Sequence, residues 1–281
     1  MTRPTTNQQA FTLVEMVIVI AATGVMAAAV ALFLRWPFQA YLDAARRAEM
    51  TDTADGALRR MGRDLRVALP NSVRIAAAGG ATCVEMLPTI TGGRYRAALD
   101  NTGAGDILDF NVADASFDML GPLPTLPGQT IAPGQRVAIY NLGATSVGSD
   151  AYSGTNTNVI AGTAAGTLPN ENKIISAPAP QRFPLASPGN RFQVIAGPVS
   201  YVCDLAAGTL TRVSGYGIAA PQACPPGGTA APLVNNVTGC DIQYTPLGAT
   251  ARNAIVSMTL ALTQSNETVS LYHEAHVSNA P

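Results

Sequence analysis

Gln9-Ala10-Phe11-Thr12-Leu13-Val14-Glu15 opens an uncharged run from Met16 to Leu34, and the rest of the chain is organised around it. At 1.5 Å per residue that run makes a helix of roughly 28 Å, close to the hydrocarbon thickness of a bilayer. The segment is long enough to span a membrane. A carboxylate nevertheless stands at its start, and an ionisable group at membrane depth costs roughly 2.5 to 3.5 kcal/mol at a helix centre, less near its edge. Glu15 therefore needs a partner of opposite charge. Residues 1 to 10 are polar, carry Arg3 and the terminal amine, and lack the apolar core and Ala-x-Ala site of a secretory signal. The apolar run is thus expected to stay in the mature chain.

A short polar leader, the string Phe11-Thr12-Leu13-Val14-Glu15 and an apolar helix together resemble the N-terminus of type IV prepilins, the class shared by pilins and type II secretion pseudopilins. The resemblance covers residues 8 to 30. It implies cleavage between Ala10 and Phe11 by a prepilin peptidase on the cytoplasmic side, and methylation of the new Phe11 amine. It also implies that Glu15, fifth in the mature chain, pairs with the Phe11 amine of a neighbouring subunit, so that two groups poorly solvated in lipid neutralise each other. Ala10 departs from the Gly that usually precedes the cut. The implied topology is a single pass through the inner membrane, N-terminus cytoplasmic and globular part periplasmic. Charge counting adds little, because Arg35, Arg46 and Arg47 lie beyond the far end of the span.

With a formal net charge of −1 and 12% charged residues, the chain has no basic stripe to neutralise phosphates. Nucleic acid is excluded as an expected partner. The four cysteines, Cys83, Cys203, Cys224 and Cys240, all follow the apolar helix and include no Cys-x-x-Cys pair. On an exported domain that pattern reads as two disulfides rather than a metal site. Three pairings are open, and Cys203–Cys224, which closes a short loop, with Cys83–Cys240 is the preferred one.

At Arg35-Trp36-Pro37-Phe38 the apolar run ends in an interfacial ring and a snorkelling cation. Pro37 lacks an amide donor and is expected to break or kink the helix there. One reading is a boundary between two helices; the other is a break that lets the helix straighten or melt during filament packing. From Phe38 to Leu69 the chain is charged yet helical in pattern, with Ala54, Ala57, Leu58, Met61, Leu65 and Ala68-Leu69 forming one apolar stripe. Gly56 and Gly62 weaken a helix, so close packing is a reason for them. Pro70-Asn71-Ser72 ends it.

The remainder is rich in Gly, Pro, Thr, Val and Ala in short alternating runs. Strands are expected at 73–76, 82–87, 107–110, 136–141, 173–176, 192–194, 199–203, 209–213, 239–244, 254–263 and 268–276, with hairpin loops at 204–208 and 264–267. Residues 114–119 read as a turn, 143–172 as a long surface loop with room for a short hairpin, and 219–232 as a second loop. The expected organisation is a leader (1–10), a membrane and assembly helix (11–35), its amphipathic half (36–69) and a β-rich periplasmic domain (70–281). The fold class is α+β, a long N-terminal helix on a largely antiparallel sheet.

Little in the domain points to catalysis. His273 and His276 read His-Glu-Ala-His rather than the His-Glu-x-x-His of zinc peptidases, and on a strand they face opposite sides. The run Asp100, Asp106, Asp109, Asp114 and Asp118 has oxygens that calcium uses but not the spacing of a known loop, so it reads as turns and solvated carboxylates. No nucleophile elbow, phosphate loop or dinucleotide fingerprint is present. No enzyme activity, metal or cofactor is expected.

The chain's length, its helix ending Leu58-Arg59-Arg60-Met61-Gly62-Arg63-Asp64-Leu65 and the segment Gly239-Cys240-Asp241-Ile242-Gln243-Tyr244 resemble J-type minor pseudopilins. Arg191-Phe192-Gln193-Val194, Pro198-Val199-Ser200-Tyr201-Val202-Cys203 and Leu271 to Asn279 are similar to minor pilins of mannose-sensitive haemagglutinin (MSHA) pilus biogenesis. The resemblance implies a minor pilin that joins other pilin subunits through its N-terminal helix, and the presence of Glu15 disfavours an obligate tip position. A type II secretion J-type pseudopilin is the alternative within this class, and a membrane-anchored adhesin or binding module the alternative outside it.

Overall fold

The computed structural model describes residues 11–143, 148–177, 179–246 and 252–281. The leader with Ala10, and residues 144–147 of the expected long loop, lie outside the described residues. The chain divides into two compact units, Met1–Met50 and Thr51–Pro281.

A single helix, α1 (Leu13–Arg66), is the first element. In the first unit every residue from Phe11 to Leu42 is exposed. Asp43 and Arg46, at 2.7 Å, form a one-turn ion pair beyond that stretch. The boundary between two helices read at Pro37 does not form: α1 runs through it. Proline removes only one donor, the one that would meet the Phe33 carbonyl, and the flanking turns supply the rest of the ladder.

In the second unit, fourteen strands follow among the described residues: β1 (Arg74–Ala78), β2 (Ala81–Met86), β3 (Thr89–Tyr95), β4 (Ser116–Leu120), β5 (Arg136–Ile139), β6 (Thr157–Ala165), β7 (Glu171–Ala177), β8 (Arg191–Ile195), β9 (Val199–Asp204), β10 (Thr209–Ser214), β11 (Thr229–Asn235), β12 (Val237–Pro246), β13 (Asn253–Gln264) and β14 (Glu267–Ser278). They pair antiparallel in a five-stranded sheet ordered β1-β2-β9-β10-β11, a three-stranded sheet β12-β13-β14 and a closed barrel β3-β4-β7-β6-β5-β8. The α+β class is as expected, though three sheets replace one.

The apolar stripe of the amphipathic half is buried at Ala54, Ala57, Leu58, Met61 and Leu65. Full burial of side chains such as Met61 and Leu65 contributes about 1.5–3 kcal/mol each. Strict alternation on β13 buries Ala254, Val256, Met258, Leu260 and Leu262 on one face. Asp64 Oδ2 accepts hydrogen bonds from the Tyr201 hydroxyl and from Arg212 Nε, both at 2.8 Å, so one carboxylate joins the helix to β9 and β10. Gly62 is the close approach that its sequence position suggested: a Cβ there would lie 2.8 Å from His273 Nε2 on β14. Gly56 has open space instead.

Several expectations are overturned. α1 stops at Arg66 rather than Leu69, because Val67 and Leu69 turn to the segment after β2: Leu69 donates to the Leu87 carbonyl and Thr89 to that of Val67, each at 2.7 Å. Residues 107–110 are not a strand; Leu108 is buried against the barrel core instead. The turn expected at 114–119 is strand β4, with Phe117 and Met119 inside the barrel. Asp118 disguised it, yet that buried carboxylate accepts from the Asp106 amide (2.9 Å) and the Thr167 amide (3.1 Å). Gly92 and Gly93 disguised β3, where a Cβ would meet the Phe192 carbonyl oxygen at 2.7 Å or its ring at 2.9 Å. The hairpin for which the long loop had room is β6–β7, whereas part of the 219–232 loop is, against expectation, the edge strand β11, whose Pro232 sits at a register shift.

The hairpin at 264–267 forms as expected: Ser265 (φ 51°) and Asn266 (φ 64°) are the two positive-φ residues of a type I′ turn, and Gln264 pairs with Glu267. The Asp-rich run shapes turns. Asp100 Oδ1 accepts from the Thr102 amide, the Thr102 hydroxyl and the Ala104 amide at 2.7–2.8 Å, and these bonds hold its carboxyl below the usual range.

The preferred cysteine pairing is also corrected, since Cys83 is bonded to Cys224. Cys83 sits opposite Val202 across β2 and β9, so Cys203, one residue on, points to the other face of the sheet. A Cys203–Cys224 bond would have to pass through the sheet.

Candidate assembly site on the N-terminal helix

Thr12 precedes α1 and caps it. Its hydroxyl accepts from the Glu15 amide at 3.3 Å, and its carbonyl oxygen accepts from the Glu15 and Met16 amides at 3.1 and 3.2 Å. Thr12 and Glu15 therefore occupy the first and last positions of a Thr-x-x-Glu cap, a pattern that the spacing of the two residue types already carries in the sequence. The cap places Glu15 in the first turn, where the helix dipole favours negative charge. Among the described residues, no cation or donor meets its carboxylate, while Phe11, four residues earlier, is 75% exposed.

From Glu15 onward the apolar surface is continuous. Met16, Val17, Ile20, Val25, Phe33 and their neighbours are all exposed, and none of the apolar window long enough to cross a membrane is buried. The one hydroxyl in its middle is satisfied internally, since Thr23 Oγ1 donates to the Val19 carbonyl at 2.7 Å. Leu13 to Leu34 covers about 33 Å of helix, and Trp36, Phe38 and Tyr41 follow as exposed rings suited to a membrane interface. Once this surface leaves water, the Glu15 carboxylate is its one uncompensated group among the described residues, and an ammonium is the simplest neutralising partner.

The other sequence-singled residues fall elsewhere. His273 faces Gly62, whereas His276 lies on the exposed face of β14. Cys203 and Cys240 are free thiols. A cleft of about 500 Å³ is lined by Arg136, Tyr152, Ser153 and Tyr216 among others, but its lining has no histidine or carboxylate to deprotonate Ser153. Arg136 donates to Thr157 Oγ1 at 3.3 Å and has no carboxylate partner among the described residues. Beside the cleft, Glu85 is buried with Arg74 at 2.6 Å and Tyr216 at 3.2 Å, and the Arg74 guanidinium stacks 3.5 Å over the Tyr152 ring.

No curated protein and no solved structure matches the chain. Residues 5–31 match the family Prokaryotic N-terminal methylation motif. That segment contains Thr12, Glu15 and much of the exposed apolar face, and together they are consistent with an inner-membrane anchor. The chain therefore carries a type IV prepilin-like signal on its N-terminal helix, which supports a pilin- or pseudopilin-type structural subunit.

Proposed function

We propose that this chain is a minor pilin of a type IV pilus of the MSHA kind, cut between Ala10 and Phe11 by prepilin peptidase, methylated on Phe11, held in the inner membrane and then built into a filament. The carrying observation is the capped, unpartnered Glu15 at the head of an exposed apolar helix inside the 5–31 motif. Stacked copies of such a helix, or copies of other pilin subunits, bury the apolar surface. The Phe11 amine of one then answers the Glu15 carboxylate of the next. Pro37, with one backbone donor missing, is the place where α1 would yield on packing. The domain from Thr51 onward lies in the periplasm before assembly.

The test is to shear surface filaments from cells producing an epitope-tagged chain and to blot them. The tag is expected in the filament fraction, with loss of surface pili on deletion. Retention in membranes, with intact pili and failed protein secretion on deletion, would instead favour a type II J-type pseudopilin. A membrane-anchored adhesin is favoured only by the Arg136 cleft, and binding of the chain to anionic glycans, abolished by Arg136→Ala, would support it.

A further inference from the structure

Cys203 and Cys240 are brought together although neither is bonded. Cys203 lies on β9 of the five-stranded sheet and is 1% exposed; Cys240 lies on β12 of the three-stranded sheet and is partly exposed. Cys203 shares its face of β9 with Tyr201, which bonds Asp64 of α1, while Cys240 shares the buried face of its sheet with Ile242 and Leu260, a sheet that meets α1 at Gly62, and β9 and β12 are in contact.

Register limits which cysteines can meet. Cys203 is opposite Thr82 on one side and Leu210 on the other, and its side chain is on the face away from Cys83. Cys83 and Cys224 are already joined on that other face, within a cluster that includes Ala81, Val202 and Val213. Cys240 is thus the one cysteine open to Cys203. A metal does not explain the pair, since no group of three or more His, Cys, Asp or Glu side chains surrounds it among the described residues.

We propose that Cys203 and Cys240 form a second disulfide, which joins the five-stranded sheet to the three-stranded sheet. The oxidant is a protein disulfide of the exported compartment. The more exposed Cys240, as thiolate, attacks that disulfide and expels one of its sulfurs as a thiolate, leaving a mixed disulfide on Cys240. The Cys203 thiolate then attacks the Cys240 sulfur, forming the internal bond and releasing the oxidant's second sulfur. Two electrons pass to the oxidant, and the two cysteine protons end on its dithiol.

Full-length protein extracted from native membranes is alkylated under denaturing, non-reducing conditions, digested and mapped by mass spectrometry. The expected result is two linked peptides, Cys83 with Cys224 and Cys203 with Cys240, and no alkylated cysteine. Alkylated Cys203 and Cys240 beside an intact Cys83–Cys224 bond would overturn the second disulfide and leave export standing. Four alkylated cysteines would overturn both. Cys203→Ser and Cys240→Ser should each lower Tm by roughly 5–15 °C, and the double variant no further. Additive losses would contradict a shared bond.

Discussion

The Glu15 amide meets the Thr12 hydroxyl at 3.3 Å and the Thr12 carbonyl oxygen at 3.1 Å, so the backbone of Glu15 is fixed by the cap while its carboxylate is left over. The two halves of this residue have different fates. The cap secures the first turn of α1 within one chain, and the carboxylate requires something outside it.

Removing only the carboxylate separates those roles. Glu15→Leu should leave the protein processed and membrane-bound, since the cap depends on Thr12 and on the Glu15 backbone. Filament incorporation should fall at least about tenfold, because an unanswered Phe11 amine near lipid costs on the order of 1.4 kcal/mol or more. Quantitative blotting of sheared filaments against membranes measures this; wild-type incorporation would rule out the pairing.

The two glycines of the amphipathic half should respond differently. Gly56→Ala meets open space and should raise stability by about 0.5–1 kcal/mol, a gain of roughly 1–4 °C in Tm. Gly62→Ala places a methyl 2.8 Å from His273 Nε2, so the same propensity gain is offset by displacement of that ring. Adding His273→Ala should restore the gain. Thermal unfolding of the detergent-solubilised chain checks the order; equal gains at both glycines would contradict the close approach on β14.

Alkaline pH should unfold the domain through its tyrosines. Burial raises the pKa of Tyr95, Tyr152, Tyr201 and Tyr216 above the ordinary value of 10.0, and Asp64 raises that of Tyr201 further. Because the folded state holds these phenols neutral, their contribution is fully present below about pH 10 and is lost as pH rises past it, when the unfolded chain ionises first. Urea midpoints should therefore fall from about pH 9 to about pH 11, and less steeply in Tyr201→Phe. At neutral pH that variant should lose about 0.5–1.5 kcal/mol for the missing bond to Asp64. A flat profile above pH 10 would contradict the burial of these rings.

What was legible in the sequence follows from how local each signal is. The uncharged run 16–34 reads as a helix by its apolarity, and 254–276 as a hairpin by alternation around Ser265-Asn266, because neither needs distant partners to be recognised. Strands β3 and β4 were hidden because their defining contacts are non-local. Gly92 and Gly93 exist for the approach of Phe192, and Asp118 is buried only because amides of Asp106 and Thr167 reach it. The cysteine pairing was hidden for the same reason, as the faces of Cys83 and Cys203 are set by the β2–β9 register. At the candidate site Glu15 is legible by type and place, and its cap by the Thr-x-x-Glu spacing, since both signals are local.

The most direct test of the central claim is the mass of the N-terminal peptide of the protein purified from its native membranes. A prepilin cut between Ala10 and Phe11 gives a peptide beginning with N-methylated Phe11. A chain that still begins with Met1, or that begins at any residue other than methylated Phe11, would contradict the assignment at its base.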